Sequence, residues 1–283
     1  ELESNPNGMI DAVSDYSFAF AATCQQSVNE GMRIQKVGRN ESDDVKMEYE
    51  YVIVDEAARV SPRDLMITMA QGKRIILVGD HRQLPHIINQ EIERQMEVGE
   101  TGQGESDWLK KSMFQYFFSE RLKVLEQKDG VPRRVTLDTQ YRMHPLLGDF
   151  ISRNFYERFD PSEKFSSGRP DSEFAHSLSG TENTPAIWLD VPTEKGRQTR
   201  SGTSWTRPAE ATAIARKLQA WMKSEEGNDL SFGVISFYKA QADLIKDKLR
   251  KITDGDTKLR IGTVDSFQGM EFDIVFLSMV RTM

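Results

Sequence analysis

Two adjacent carboxylates close the apolar run YVIVDEAARV, residues 51–60. A run of this kind reads as a buried strand that delivers Asp55 and Glu56 to the edge of a sheet. Carboxylates there suit phosphoryl transfer, where one holds Mg2+, usually through water, and the other orients the water that attacks a γ-phosphate. The plainer alternative is a strand that ends in surface charge. A second run, LVGDHRQLP (77–85), also ends in polar residues, with a glycine at the turn and a proline beyond it. It places Asp80, Arg82 and Gln83 at the same carboxyl edge, where open α/β sheets bind ligands. A glutamine there can hydrogen-bond a phosphate oxygen and the attacking water. The alternative is an ordinary strand-to-helix turn.

Two further stretches carry chemistry. DTQYRMHP (138–145) sets Arg142 after Tyr141, an aromatic for stacking on a base beside a charge for phosphates. An arginine inserted from a neighbouring domain accelerates phosphoryl transfer by about 10³–10⁵. Read alone, the same residues are packing positions and a surface ion pair. IGTVDSFQGMEFDIVFLS (261–278) has two apolar runs around a polar turn. Hydroxyls at Thr263 and Ser266, carboxylates at Asp265 and Glu271 and a hinge at Gly269 suit contacts to a nucleic-acid backbone. A long turn with its own side-chain hydrogen bonds is the alternative.

Paired acids of this type normally work with a glycine-rich loop, G-x-x-x-x-G-K-[ST], that cradles the phosphates. No such loop occurs in the 283 residues. The phosphates are therefore expected to be held by residues outside this chain, and the 283 residues alone to turn over little or no ATP. The chain starts without methionine and stops directly after an apolar run, which reads as an excerpt of a longer polypeptide.

The elements that must position these residues alternate between β-rich runs and helical patterns, the signature of a mainly parallel α/β fold. Strands are expected at 17–24, 51–56, 73–80, 134–138, 186–191, 232–238, 259–264 and 273–279. Several are nearly continuous Val/Ile/Leu runs, as strands covered on both faces are. PAEATAIARKLQAWMK (208–223) and KAQADLIKDKLRKI (239–252) repeat apolar residues at helical spacing. Polar, glycine- and acid-rich stretches at 37–50, 97–107, 160–185 and 196–204 read as loops. Two domains are expected, 1–139 and 140–283, with a cleft between them.

Composition narrows the class. With 38% apolar and 29% charged residues the chain suits a soluble globular protein. No apolar run approaches a bilayer span. The single cysteine, Cys24, excludes an internal disulfide, and the histidines form no metal-ligand spacing with it. An intracellular setting, cytoplasm or nucleus/nucleoid, is expected. A net charge of −7 argues mildly against non-specific nucleic-acid binding, although a basic channel can sit on an acidic body.

In their order along the chain, the motifs resemble those of the superfamily 1 helicases, most closely the Upf-like branch of nonsense-mediated-decay and senataxin-type enzymes. DEAA resembles motif II, GDHRQLP motif III, QYRMHP the arginine motif opening the second domain, ISFYKAQADLIKDKL motif IV and TVDSFQGME motif V. AATCQQS (21–27) resembles a nucleic-acid-contacting motif of the first domain. The resemblance runs from about Phe18 to Met279.

It implies two RecA-like domains of P-loop NTPase type, the first incomplete and the second truncated. It also implies a monomeric ATP- and Mg2+-dependent motor on single-stranded DNA or RNA, moving 5′ to 3′. Asp55 is then the Mg2+ ligand, Glu56 activates water, and Gln83 senses the γ-phosphate. Arg142 is an arginine finger, Tyr141 stacks on the base, and Glu271, with Gly269 as hinge, approaches the nucleotide. Thr23, Pro85, Gln241, Thr263, Asp265 and Ser266 line the nucleic-acid groove. His86 and Phe237 stand where the family usually has proline. Rival readings are an inactive nucleic-acid- or partner-binding module derived from a helicase, and the motor part of a nuclease–helicase or defence protein.

Overall fold

The computed structural model describes residues 16–29, 49–83, 112–181, 184–253 and 258–281. Pro85, His86, the expected loop at 97–107 and most of that at 37–50 lie outside the described residues. The chain divides into two compact units, 1–135 and 136–283.

The first unit is built on two parallel strands, β1 (Tyr49–Val54) and β2 (Gly72–Leu77), joined through helix α1 (Pro62–Met69). Ser61 caps α1 by accepting from Asp64 N–H at 3.2 Å, and Pro62 opens its first turn, where a missing N–H costs nothing. Val52 and Val54 turn inward onto Ala57, Ala58, Leu65 and Phe114. Their neighbours Tyr51 and Ile53 are 55% and 66% exposed, so β1 alternates where covered faces were expected.

A second helical run follows: α2 (Met113–Tyr116), a π-helical stretch Phe117–Arg121, and α3 (Leu122–Asp129). Gly130 ends it at φ 70°, a left-handed conformation that glycine adopts freely. The acids Glu126 and Asp129 sit in the last turn, where the helix dipole disfavours them. Arg133 and Arg134 fold back and offset that penalty. Arg134 Nη2 donates to Glu126 at 2.7 Å and Arg133 Nη2 to Asp129 at 2.6 Å. The Arg133 guanidinium holds the Asp129 carboxyl down to about 2.

The second unit centres on three parallel strands in the order β8 (Leu259–Thr263), β7 (Phe232–Ser236), β9 (Ile274–Ser278). Helix α5 (Pro208–Met222) buries Ala211, Ile214, Ala215 and Leu218, one stripe at helical spacing. Helix α6 (Lys239–Thr253) does the same with Ala242, Ile245 and Leu249. The α5 stripe, together with Ile245 and Leu249, packs with Phe232, Val234 and Phe276 of the sheet as one core. Ahead of this sheet in the second unit's sequence come a two-residue ladder of β3 (Thr139–Gln140) with β4 (Ser166–Ser167), helix α4 (Pro145–Ile151), and the hairpin β5 (Thr199–Ser201)–β6 (Ser204–Thr206).

Three expected strands are absent. Residues 17–24 run irregularly, with Phe18 fully exposed, into a 3₁₀ turn at Gln26–Val28. Side chains fix this segment: Gln25 donates to Asp64 and Gln71 to Ser27, both at 2.9 Å. Residues 134–138 and 186–191 are likewise irregular, with Val135, Leu137 and Trp188 at least 80% exposed. A β-rich run becomes a strand only where a neighbour completes its ladder, and these meet none among the described residues. No helix among the described residues is long and apolar enough to cross a membrane.

Candidate nucleotide and nucleic-acid site

At the carboxyl edge of the first unit, parallel pairing sets Val54 opposite Leu77, so the two polar turns begin side by side. Val78 N–H donates to Val54 O, and Ala57 N–H returns the bond to Val78 O, both at 2.8 Å. The turns approach so closely that a Cβ on Gly79 would lie 2.9 Å from Ala58 N. This is why a glycine stands there. Glu56 sits at φ 51°, ψ 32°, a left-handed conformation uncommon for a residue with a side chain. Its N–H donates to Asp55 Oδ1 at 2.8 Å, which orients the first carboxylate. Asp55 and Glu56 are both exposed on this edge.

Asp80 organises the neighbouring turn. It accepts from Arg82 N–H at 2.9 Å and from Gln83 Nε2 at 2.8 Å, so the Gln83 amide is held by a carboxylate. Sequence reasoning placed Asp80 at the edge without giving it a role. The signal was its spacing, since an Asp accepting from the backbone two residues on is a recurrent turn. Thr23 is exposed, its hydroxyl accepting from Gln26 N–H at 3.2 Å.

In the second unit, Arg142 Nε donates to Glu271 Oε1 at 2.8 Å, joining residues 129 positions apart. Both side chains remain more than half exposed. The pair belongs to a constructed turn. Gln140 Oε1 accepts from Arg142 N–H at 2.9 Å and Met143 N–H at 2.7 Å, while its Nε2 donates to Met143 O and Ser167 Oγ. Gln140 is a positioning residue that the sequence reading passed over, although it opens the QYRMHP motif. Tyr141 lies against Gly168, where a Cβ would come within 2.3 Å of its ring, and is otherwise 64% exposed. One face of an aromatic is thus supported and the remainder open.

The register aligns Ser236, Thr263 and Ser278 across one carboxyl edge. Thr263 and Ser266 are half-buried and Asp265 is exposed. Ser266 Oγ donates to Thr263 O at 2.7 Å, and a Cβ on Gly262 would lie 2.2 Å from it, so the turn folds back onto its own strand. Gly269 is exposed at φ 74°.

Gln241 departs from the expectation. It is fully buried, and its amide is consumed inside the protein. Its Oε1 accepts from Arg207 N–H at 2.8 Å and its Nε2 donates to Ser278 Oγ at 3.0 Å. Ser278 donates in turn to Glu210 at 2.9 Å, and the Glu210 carboxylate accepts Val280 N–H at 3.1 Å. Val280 is fully buried at φ 68°, an outlier for a β-branched residue that this carboxylate holds in place. With its side chain enclosed, Gln241 braces this edge from within.

Among the described residues no cluster of three or more carboxylate, imidazole or thiol groups forms a metal cage. Mg2+ needs none. It keeps several waters and takes one or two carboxylates plus substrate phosphates. An exposed strand-end carboxylate such as Asp55, oriented by a neighbouring N–H, fits that donor set.

Comparison with known proteins identifies the chain's relatives. The sequence profile described as an AAA domain matches residues 109–283, and a second profile of the same description matches 21–91. The "Regulator of nonsense transcripts 1 homolog" of Neurospora crassa is 28% identical over 243 residues, 84% of this chain and 20% of that protein. The "ATP-dependent helicase NAM7" of Saccharomyces cerevisiae is 32% identical over 241 residues, 81% of this chain and 22% of the relative. The "5'-3' DNA helicase ZGRF1" of Mus musculus is 30% identical over 246 residues, 83% and 11% respectively. The chain thus spans about a fifth or less of the length of these relatives. It belongs to the AAA-domain family, in the Upf-like branch of the superfamily 1 helicases, and its fold is RecA-like.

Proposed function

We propose that this chain is part of an ATP-driven motor that moves along single-stranded nucleic acid. The observation that carries the reading is the in-register carboxyl edge of β1 and β2, from which one turn carries Asp55 and Glu56 and the other a carboxylate-held Gln83. Glu56 orients and deprotonates the attacking water. Gln83, steered by Asp80, hydrogen-bonds the γ-phosphate. Arg142, oriented by Glu271 at 2.8 Å, supplies charge to the transferred phosphoryl group, and Tyr141 offers its open face to the base. Asp55 is the residue that would hold Mg2+, whose contribution there would be to neutralise phosphate charge.

Thr23, Pro85, Thr263, Asp265 and Ser266 lie along the nucleic-acid path, with Gln241 holding one edge in shape. A first RecA-like domain extends to about residue 139 and a second follows, close to the division at Val135. Movement 5′ to 3′ is supported by the name of the mouse relative. Contacts through hydroxyls and backbone predict weak sequence preference.

The test is ATP hydrolysis by the natural polypeptide, with and without single-stranded DNA and RNA, beside Glu56→Gln. Stimulation by one nucleic acid is expected, with turnover lowered about 10²–10⁴-fold in the variant. Equal turnover in both proteins would remove Glu56 from the chemistry. Binding without any stimulated turnover would favour the inactive-module reading.

A further inference from the structure

We propose that the β5–β6 hairpin, together with Arg281, forms an additional contact for the sugar-phosphate backbone of a single strand. This rests on the nucleic-acid reading above. Register sets Arg200 directly opposite Trp205 in the antiparallel hairpin, which puts both side chains on one face. The Arg281 guanidinium lies 5.7 Å from the Trp205 ring centroid. An indole thus has one guanidinium near its ring and a second on the same hairpin face, the latter donating from Nε to Gly202 O at 3.2 Å, and such a group offers base stacking and phosphate contact together.

Lys195, Arg197, Arg200, Lys239 and Arg281 are all exposed around this face. None of the ion pairs among the described residues uses any of them. On a chain of net charge −7, such a group of cations left unneutralised marks a surface for an anion. The acids of the adjoining segments are fewer: Asp190, Glu194 and Asp243 are exposed, Asp243 lies 3.9 Å from Lys246, and Glu210 is turned inward onto Ser278 and Val280.

Placement selects the partner. Ser204 Oγ accepts from Ala240 N–H at 3.3 Å, and Arg207 Nε donates to Gly196 O at 3.1 Å, so the hairpin is anchored at both ends. Ala240 follows β7 and Arg281 follows β9, and the ends of those strands align with Thr263. The hairpin therefore borders the edge that carries Thr263, Asp265 and Ser266. A strand crossing that edge would meet Arg200 and Arg281 next. An acidic peptide would satisfy the cations but would leave the indole without a planar partner.

The experiment measures binding of fluorescent oligo-dT and oligo-U to the natural polypeptide across a salt series. The variants are Arg197→Ala with Arg200→Ala, Arg200→Lys, and Trp205→Ala. Each single-strand phosphate contact contributes about 0.7 to the slope of log K against log salt. The double variant should lower that slope by about 1.4. Arg200→Lys should keep the slope, which separates lost charge from lost folding. Trp205→Ala should weaken binding about five- to hundred-fold with the slope little changed.

Three results overturn the proposal. The first is parental binding with an unchanged slope in the double variant. The second is poly-glutamate binding that exceeds oligonucleotide binding and vanishes in the variants. The third, failure of the parent to bind either oligonucleotide, removes the nucleic-acid reading itself and is seen before any variant is made.

Discussion

In the first unit, Glu56 is aimed by a left-handed backbone at φ 51° and by two turns that meet across Gly79. In the second, Arg142 and the end of β9 are aimed by glutamines, Gln140 half-buried and Gln241 fully buried, each making several side-chain hydrogen bonds. One unit uses the path of the main chain to place the side chains at its strand ends, and the other uses amide brackets. The two devices fail differently. A backbone device tolerates side-chain changes nearby but no added volume, whereas a bracket tolerates volume but no loss of a donor or acceptor.

The largest expected effect tests what the second device delivers. Arg142→Ala should lower stimulated ATP turnover of the natural polypeptide by about 10³–10⁵-fold. Arg142→Lys should fail to restore it, because an ammonium cannot reproduce the directed Nε bond to Glu271. Full rescue by lysine would show that bracket geometry is immaterial.

Next, Gln241→Leu keeps most of the volume but strands the Arg207 N–H, while the Ser278 hydroxyl loses one donor and keeps its bond to Glu210. The abandoned N–H costs about 1–3 kcal/mol, read from the urea midpoint at constant slope. A loss no larger than that of a surface substitution would mean that water or relaxation replaces the bracket.

Gly79→Ala probes the first device. Its Cβ would press on Ala58 N at 2.9 Å, for a destabilisation of about 1–3 kcal/mol. Turnover should fall further than stability suggests, since Glu56 moves with the turn. Proportionate losses would show that the turn supports folding alone.

The smallest effect lies away from both sites. The folded Asp129 carboxyl is held below its ordinary 3.8, at about 2, chiefly by the hydrogen bond from Arg133. Its contribution to stability is therefore complete above about pH 4 and is lost as pH falls through about 2. Arg133→Ala should return the Asp129 titration, followed by carboxyl NMR, towards 3.8 and flatten the acid dependence in that window.

The sequence carried the motifs and the strands that deliver them, because strand ends with chemistry sit in runs whose apolar content is unmistakable. Tyr49–Val54, Gly72–Leu77, Phe232–Ser236, Leu259–Thr263 and Ile274–Ser278 all lie where the runs predicted. Residues 17–24, 134–138 and 186–191 failed because local β-propensity says nothing about whether a neighbouring strand is there to pair with. The burial of Gln241 was illegible for a different reason. A glutamine in the first turn of an amphipathic helix reads as solvent-facing, and only the tertiary arrangement of Arg207 and Ser278 reveals that its amide is enclosed. Gln140 was missed because its partners are mostly main-chain atoms, which leave no pattern in residue types.

Glu56 has a consequence for how this protein responds to selection. A left-handed backbone costs a glutamate about 1–2 kcal/mol, whereas asparagine enters that region more readily. Screened for resistance to proteolysis alone, position 56 should therefore favour asparagine over its own residue, by up to about 1 kcal/mol. Screened for turnover, it should accept nothing but glutamate. Opposite preferences at one position in two such libraries would identify a residue kept for work that folding opposes.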